Sequence, residues 1–161
     1  MTIDELLKVI AADAACRVHP PAGEPHVEPE HTLPLDVRQF YQQCGGVDLF
    51  PEEGYSQFVL PPHEVKLANL VLVGERFQDD RSDSWYLITH DGNGDYLTLD
   101  CGAERNGWCY DSFHETHGII GQTPIIARSF TELLTRCYAN RGGYLYWLRD
   151  DFVSLGDAYD P

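Results

Sequence analysis

With 161 residues the chain is the length of one domain, and its 26 acidic against 11 basic side chains give a formal charge of −15. A surface that negative repels nucleic-acid phosphates and anionic lipid heads, which excludes nucleic acid and membrane as expected partners and favours encounter with a basic protein. No stretch approaches the roughly 20 apolar residues that span a bilayer, and Met1–Glu5 shows no basic stretch before an apolar run, so no secretory signal is expected.

In chain order, the first predicted element is a helix over residues 3–14. Thr2 caps it, Glu5 stands three positions on as the reciprocal partner of a capping box, and Ile3, Leu6, Leu7, Ile10 and Ala14 recur on one face. Residues 17–32 hold Pro20, Pro21, Pro25 and Pro29 and read as a loop. A second helix is expected over 34–44, with Pro34 at its first position and Gly45-Gly46 as its stop.

Short extended runs follow at 47–50 and 57–60. Residues 65–73 are apolar and fit helix or strand equally; residues 75–84 are polar and acidic and read as a loop. Trp85–His90 and Asp95–Cys101 read as paired strands about a turn at Asp91-Gly92-Asn93-Gly94, residues that tolerate positive φ. Apolar side chains on both alternating faces place this hairpin centrally, with cover on both sides. A third meander strand is expected at 107–113 and a short strand at 124–128. A last helix over 130–141 is capped by Ser129 with Glu132 and stopped by Gly142-Gly143. The aromatic tail, 144–161, must dock on the body to stay soluble. Helices at both ends with strands between them imply a single α+β domain over 1–161: an antiparallel sheet with flanking helices. The expected core includes Leu6, Phe40, Trp85, Leu87, Leu97, Leu99, Phe130 and Leu133.

The chemical motifs fail one by one. Asp91-x-Asn93-x-Asp95 starts like a calcium loop, but the positions that need Gly and a bidentate Glu hold Tyr96 and Gly102. His114-Glu115-Thr116-His117 lacks the zincin spacing, and no third ligand stands nearby, so no metal is expected. The five cysteines, 16, 44, 101, 109 and 137, form no C-x-x-C pair, which points to a reducing cytoplasm. Cys44 and Cys137 lie on apolar faces; Cys101 and Cys109 lie near strand ends, with partial exposure expected. Neither a nucleophile motif nor a phosphate loop is present. Carboxylate pairs are numerous, as 26 acids would give by chance, so no catalytic residue and no cofactor is assigned.

Three segments in order resemble the SUKH superfamily, the Smi/Knr-type domain. They are Leu33-Pro34-Leu35-Asp36 with Phe40-Tyr41 and Gly45-Gly46; Trp85-Tyr86-Leu87-Ile88 with Asp91-Gly92-Asn93-Gly94-Asp95-Tyr96-Leu97 and Asp100; and Ala127-Arg128-Ser129-Phe130-Thr131-Glu132-Leu133-Leu134. With the leading helix the resemblance covers about residues 1–140. It implies a curved antiparallel sheet. It also implies a non-catalytic immunity protein that neutralises a toxin, often a nuclease; fungal members instead regulate cell-wall synthesis through protein partners.

On that reading an acidic surface occupies a toxin's phosphate groove, and aromatic side chains supply the contact energy. The candidate partner-binding residues are Phe77, Asp79, Asp80 and Asp83 in the acidic loop, Asp91 and Asp95 at the turn, and Asp150 and Asp151 in the tail. A regulatory or scaffold protein without a toxin partner, and a hydrolase, stand as the alternatives.

Overall fold

The computed structural model describes residues 1–161. Seven strands, β1 (Cys16–Val18), β2 (Val47–Leu49), β3 (Gln57–Val59), β4 (Trp85–His90), β5 (Tyr96–Asp100), β6 (Cys109–Ser112) and β7 (Ile125–Ala127), pair in chain order into one open antiparallel sheet. Four helices, α1 (Ile3–Ala12), α2 (Leu35–Gln43), α3 (Ala68–Leu72) and α4 (Phe130–Asn140), complete the α+β architecture that the element order implied.

The caps act as the sequence suggests, with one displacement. Thr2 Oγ1 accepts from Glu5 N at 3.2 Å, and Glu5 Oε2 accepts from Thr2 N at 2.8 Å, closing the box on α1. At α4, Ser129 Oγ accepts from Glu132 N at 3.0 Å, but the Glu132 carboxylate reaches back to Arg128 N, one residue before the cap. Pro34 is the residue that caps α2 and lies outside the helix, so the helix starts one position later than expected.

The Gly45-Gly46 pair does more than end a helix, since Cys44 is already the C-cap of α2. A Cβ on Gly45 would sit 2.3 Å from Pro20 O, and one on Gly46 would sit 2.6 Å from Val59 O. The chain beyond β1 runs against these glycines, with His19 N donating to Gly46 O and Gly45 N to His19 O, both at 2.9 Å. Only residues without a side chain let the two backbones come this close. That contact also explains an element the sequence hid. Residues 16–18 are β1, the edge strand paired to β2, and not the start of a loop, because hydrogen bonds from a distant strand outweigh a proline-rich context.

Two other expectations, for residues 75–84 and for Cys101 and Cys109, are corrected, and one left open, for residues 65–73, is resolved. Residues 75–84 are not all loop: Arg81–Ser84 form a 3-10 turn in which Ser82 and Asp83 are buried. Residues 65–73 resolve into an extended start bridged at Leu67 to Tyr86, followed by α3. Cys101 and Cys109 are fully buried: Cys101, just past β5, is covered by the chain at Thr32, whose N–H donates to its carbonyl at 2.8 Å, and Cys109 opens β6 between Leu99 and Ala127 of the neighbouring strands. All eight expected core residues are buried, at most 4% exposed.

Register decides which side chains share a face. Leu97 pairs with Asp111 and Leu99 with Cys109, so these four point the same way. On that face Val59 and Thr89 meet Phe130, Leu133 and Leu134 of α4. On the other, Trp85 packs on Tyr110 with ring centroids 4.4 Å apart, and Tyr110 OH donates to Asp100 at 2.7 Å. The loop after β6 covers this second face through His117, which stands edge-on to Trp85. Both faces of the central hairpin are therefore buried, and β4 is buried at five consecutive positions.

Truncating Leu133, at the centre of the α4 face, removes buried methyl groups and leaves a cavity. Leu133→Ala is expected to lower unfolding free energy by about 2–5 kcal/mol, read as a lower urea midpoint with an unchanged slope. An unchanged midpoint would show that α4 does not pack there.

His117 adds a pH dependence. Its Nε2–H donates to Asn69 Oδ1 at 2.7 Å, while Nδ1 is buried without a partner. Burial pushes its pKa down to about 4, against an opposing pull from Asp80. The unfolded chain takes up this proton below about pH 6.5 and the folded one only near 4. Stability from this group is therefore lost as pH falls through that window. Burial of Asp100 and Asp111 raises their pKa values and acts in the opposite sense, so the group is isolated by difference. Relative to His117→Gln, wild type should lose about 2–3 kcal/mol between pH 7 and about pH 4.5 in urea titrations. Parallel pH curves would refute the assignment.

Candidate protein-binding groove

Six of the eight candidate residues fall at the two ends of β4, and the other two, Asp150 and Asp151, lie in the tail. Phe77, Asp79, Asp80 and Asp83 precede the strand; Asp91 and Asp95 follow it. Six residues in extended form separate the two groups by roughly 20 Å. They do not form one surface.

The group before β4 is partly committed to holding the fold. Asp83 is 8% exposed and accepts from Arg76 Nε at 3.0 Å and Nη2 at 2.8 Å. Arg76 also binds Glu30 at 2.8 Å and so ties the proline-rich loop to this turn. Glu30, His31 and Asp83 bring ligand-type atoms within 4.8 Å of one another, and the Arg76 guanidinium supplies the positive charge there. Asp80 accepts from Ser82 and, at 2.7 Å, from Tyr159 OH, which pins the end of the tail. Asp79 and Phe77 remain exposed.

At the other end of β4, the turn is built from its first acid. Asp91 Oδ1 accepts from Asn93 N at 2.7 Å and Asp95 N at 3.1 Å, while Gly92 and Gly94 take positive φ. The turn stands beside a groove of about 500 Å³. One wall is Asp91, Asn93 and Asp95; the floor is Leu97 and Asp111; the opposite wall is Leu145, Trp147 and Leu148 of the tail. Phe113 and Tyr55 close its ends.

The tail reaches this position through a tight reversal after α4. Arg141 is left-handed, and at Gly142 a Cβ would sit 2.4 Å from Glu53 Cβ. Tyr146 OH then donates to Ile126 O at 2.6 Å, and Trp147 Nε1 donates to Asp111 Oδ2 at 2.9 Å. The tail and the hairpin turn, distant in sequence, become two walls of one groove. Asp150 and Asp151 lie beyond it on the exposed surface, with Asp151 facing Arg149 at 3.3 Å.

Asp111 is the carboxylate that the motif search missed. Its one sequence signal is an acid within the otherwise buried strand Cys109–Ser112. Burial raises its pKa; hydrogen bonds from Trp147 and from Phe113 N oppose that, and the like charges of Asp95 and Asp91 reinforce it. No lysine or arginine pairs with Asp91, Asp95 or Asp111; His114, exposed, meets Asp95 at 2.8 Å. His114 and His117 go to separate partners, Asp95 and Asn69. The groove therefore offers negative charge that only His114, at Asp95, offsets from within the chain, over an apolar, aromatic lining, a chemistry suited to a cationic and apolar segment of another protein.

No helix is long and apolar enough to cross a membrane. The profile of the SMI1 / KNR4 family (SUKH-1) matches residues 30–136, which contain the turn and Asp111 but not the tail wall. The protein named immunity protein YokJ, from Bacillus subtilis (strain 168), is 48% identical over 160 residues, 99% of this chain and 97% of that protein. On both grounds, this chain belongs to the SMI1 / KNR4 family (SUKH-1).

Proposed function

We propose that this protein is a cytoplasmic immunity protein that binds a toxin protein and blocks it without catalysing a reaction. The observation that carries this reading is the match along nearly the whole chain to a relative named as an immunity protein. The groove supplies a mechanism. Its charge attracts a basic partner from a distance, and its apolar walls hold that partner once docked.

The roles of the acids separate on this view. Asp91 and Asp95 stand at the groove and make contact. Asp79, Asp150 and Asp151, exposed elsewhere, add to the long-range field and steer the encounter; Phe77, exposed near Asp79, gives the partner a second foothold. Asp80 and Asp83 serve the fold first, through Tyr159 and Arg76. The toxin is a basic domain, because a net charge of −15 would repel an acidic one.

The test takes as partner any toxin found encoded beside this gene, made with a blocked active site, and measures its binding rates at several salt concentrations. Association should slow as salt rises, and Asp79→Lys with Asp150→Lys should slow it severalfold at low salt, the difference vanishing at high salt. Leu148→Ala, which trims an exposed groove wall, should mainly speed dissociation. Association indifferent to salt would remove the electrostatic mechanism. Absence of binding to any adjacent toxin would remove the immunity reading.

A further inference from the structure

The groove has three features that select its occupant. Its volume, about 500 Å³, is that of a site for a few side chains and not of a flat patch. Its lining is largely aromatic and aliphatic, with Tyr55 and Leu148 half-exposed at the rim, where a partner's apolar side chains would rest. Its charged groups are three carboxylates, on the turn and on β6, with no lysine or arginine against them, beside the neutral side chains of Gln57, Asn93, Thr116 and Gln122.

The floor group sets the geometry. Asp111 is oriented by two fixed donors, Trp147 Nε1 at 2.9 Å on Oδ2 and Phe113 N at 3.1 Å on Oδ1. Each oxygen keeps a second lone pair. A carboxylate held this way, beside like charges, favours a cation that brings several donors in one plane. A guanidinium does so and also stacks on aromatic rings, whereas an ammonium is a compact, strongly hydrated point charge. The rings of Tyr96 and Phe113 line the same space.

We propose that this groove is a socket for one arginine side chain of the toxin, with Asp111 as the floor acceptor, Asp91 and Asp95 as the flanking charge, and Leu148 and Tyr55 holding the apolar residues on either side of that arginine. The proposal rests on the immunity reading for its occupant, and its chemistry can be examined without the toxin. The guanidinium would offset one of the three negative charges and lie in the field of the other two, so partner arginine and groove would be complementary in charge as well as shape.

The probes are three capped tripeptides, acetyl-Leu-Arg-Leu-amide and its citrulline and lysine counterparts, titrated into the full-length protein. The readout is the Trp147 indole N–H signal by NMR, identified by its loss in Trp147→Phe. The arginine peptide should shift this signal saturably. The citrulline peptide, neutral but nearly the same shape, should bind roughly tenfold or more weakly, as should the lysine peptide. Asp111→Asn should narrow the gap between the arginine and citrulline peptides severalfold. If that variant does not fold, the comparison of the three peptides on wild type still decides. Equal binding of arginine and citrulline, equal binding of arginine and lysine, or an arginine response that leaves the Trp147 indole unmoved would each overturn the socket. Toxin binding by wild type without arginine selectivity rejects the socket and leaves the immunity reading intact. Arginine selectivity without toxin binding does the reverse.

Discussion

The fold depends first on the reversal between β4 and β5. Asp91 binds the backbone of Asn93 and Asp95 with one carboxylate oxygen, and two glycines accept the positive φ that the reversal needs. The two longest strands are thereby set in register, with Trp85 opposite Asp100 and His90 opposite Tyr96. A slip of one residue would turn every side chain of the hairpin to the wrong face. Here that would be ruinous, because both faces are buried and each has its own cover. The same acid that closes the turn also stands at the groove, so the constraint that builds the sheet places part of the site.

Cations are scarce in this chain, and the structure shows where they are used. Arg76 joins the proline-rich loop to the turn before β4. Arg81 and Arg105 both donate to the carbonyls of Ala158 and Asp160 and hold down the end of the tail. Arg141 binds Asp13 at 3.1 Å and lies 4.7 Å over the Phe50 ring, linking the end of α4 to the end of α1. The exposed pairs among these, such as Arg141 with Asp13, contribute little each. Their value is positional, since they fasten segments far apart in sequence. With the arginines placed at these junctions, the carboxylates of the groove are left without a lysine or arginine partner, and only His114 pairs with one of them, Asp95.

The tail is a structural part of the body. Trp147, 8% exposed, gives its indole N–H to Asp111, and Ala158 N donates to Thr123 O at 2.8 Å. Without residues 144–148 the sheet face at the turn end would be open, for α4 stops at Asn140 and covers only the part nearer β3. The tail thus converts the uncovered end of a sheet into a groove with two walls. Its final residues turn back toward Asp80 and Trp85 at the opposite end of β4, so one segment braces both ends of the central strand.

Local chemistry determined a good deal from the sequence by itself. The caps at Thr2 and Ser129, the turn at Asp91–Gly94 and the helical spacing of Ile3, Leu6, Leu7 and Ile10 are read from neighbours in the chain, because their energetics act within a few residues. So the α+β class, the central hairpin and the core were legible, as was the family resemblance those pieces carry. What tertiary structure alone decided is everything that depends on partners far away in sequence. β1 exists because β2 offers it hydrogen bonds; Gly45 and Gly46 are needed because Pro20 and Val59 press against them. Asp83 is interior because Arg76 meets it, while Asp79, four residues before it, stays in water. Asp111 becomes the floor of a groove only when Trp147, 36 residues later, closes over it. A sequence lists which charges are present; whether each is neutralised, buried or left facing a partner is settled by long-range packing, which no local pattern encodes.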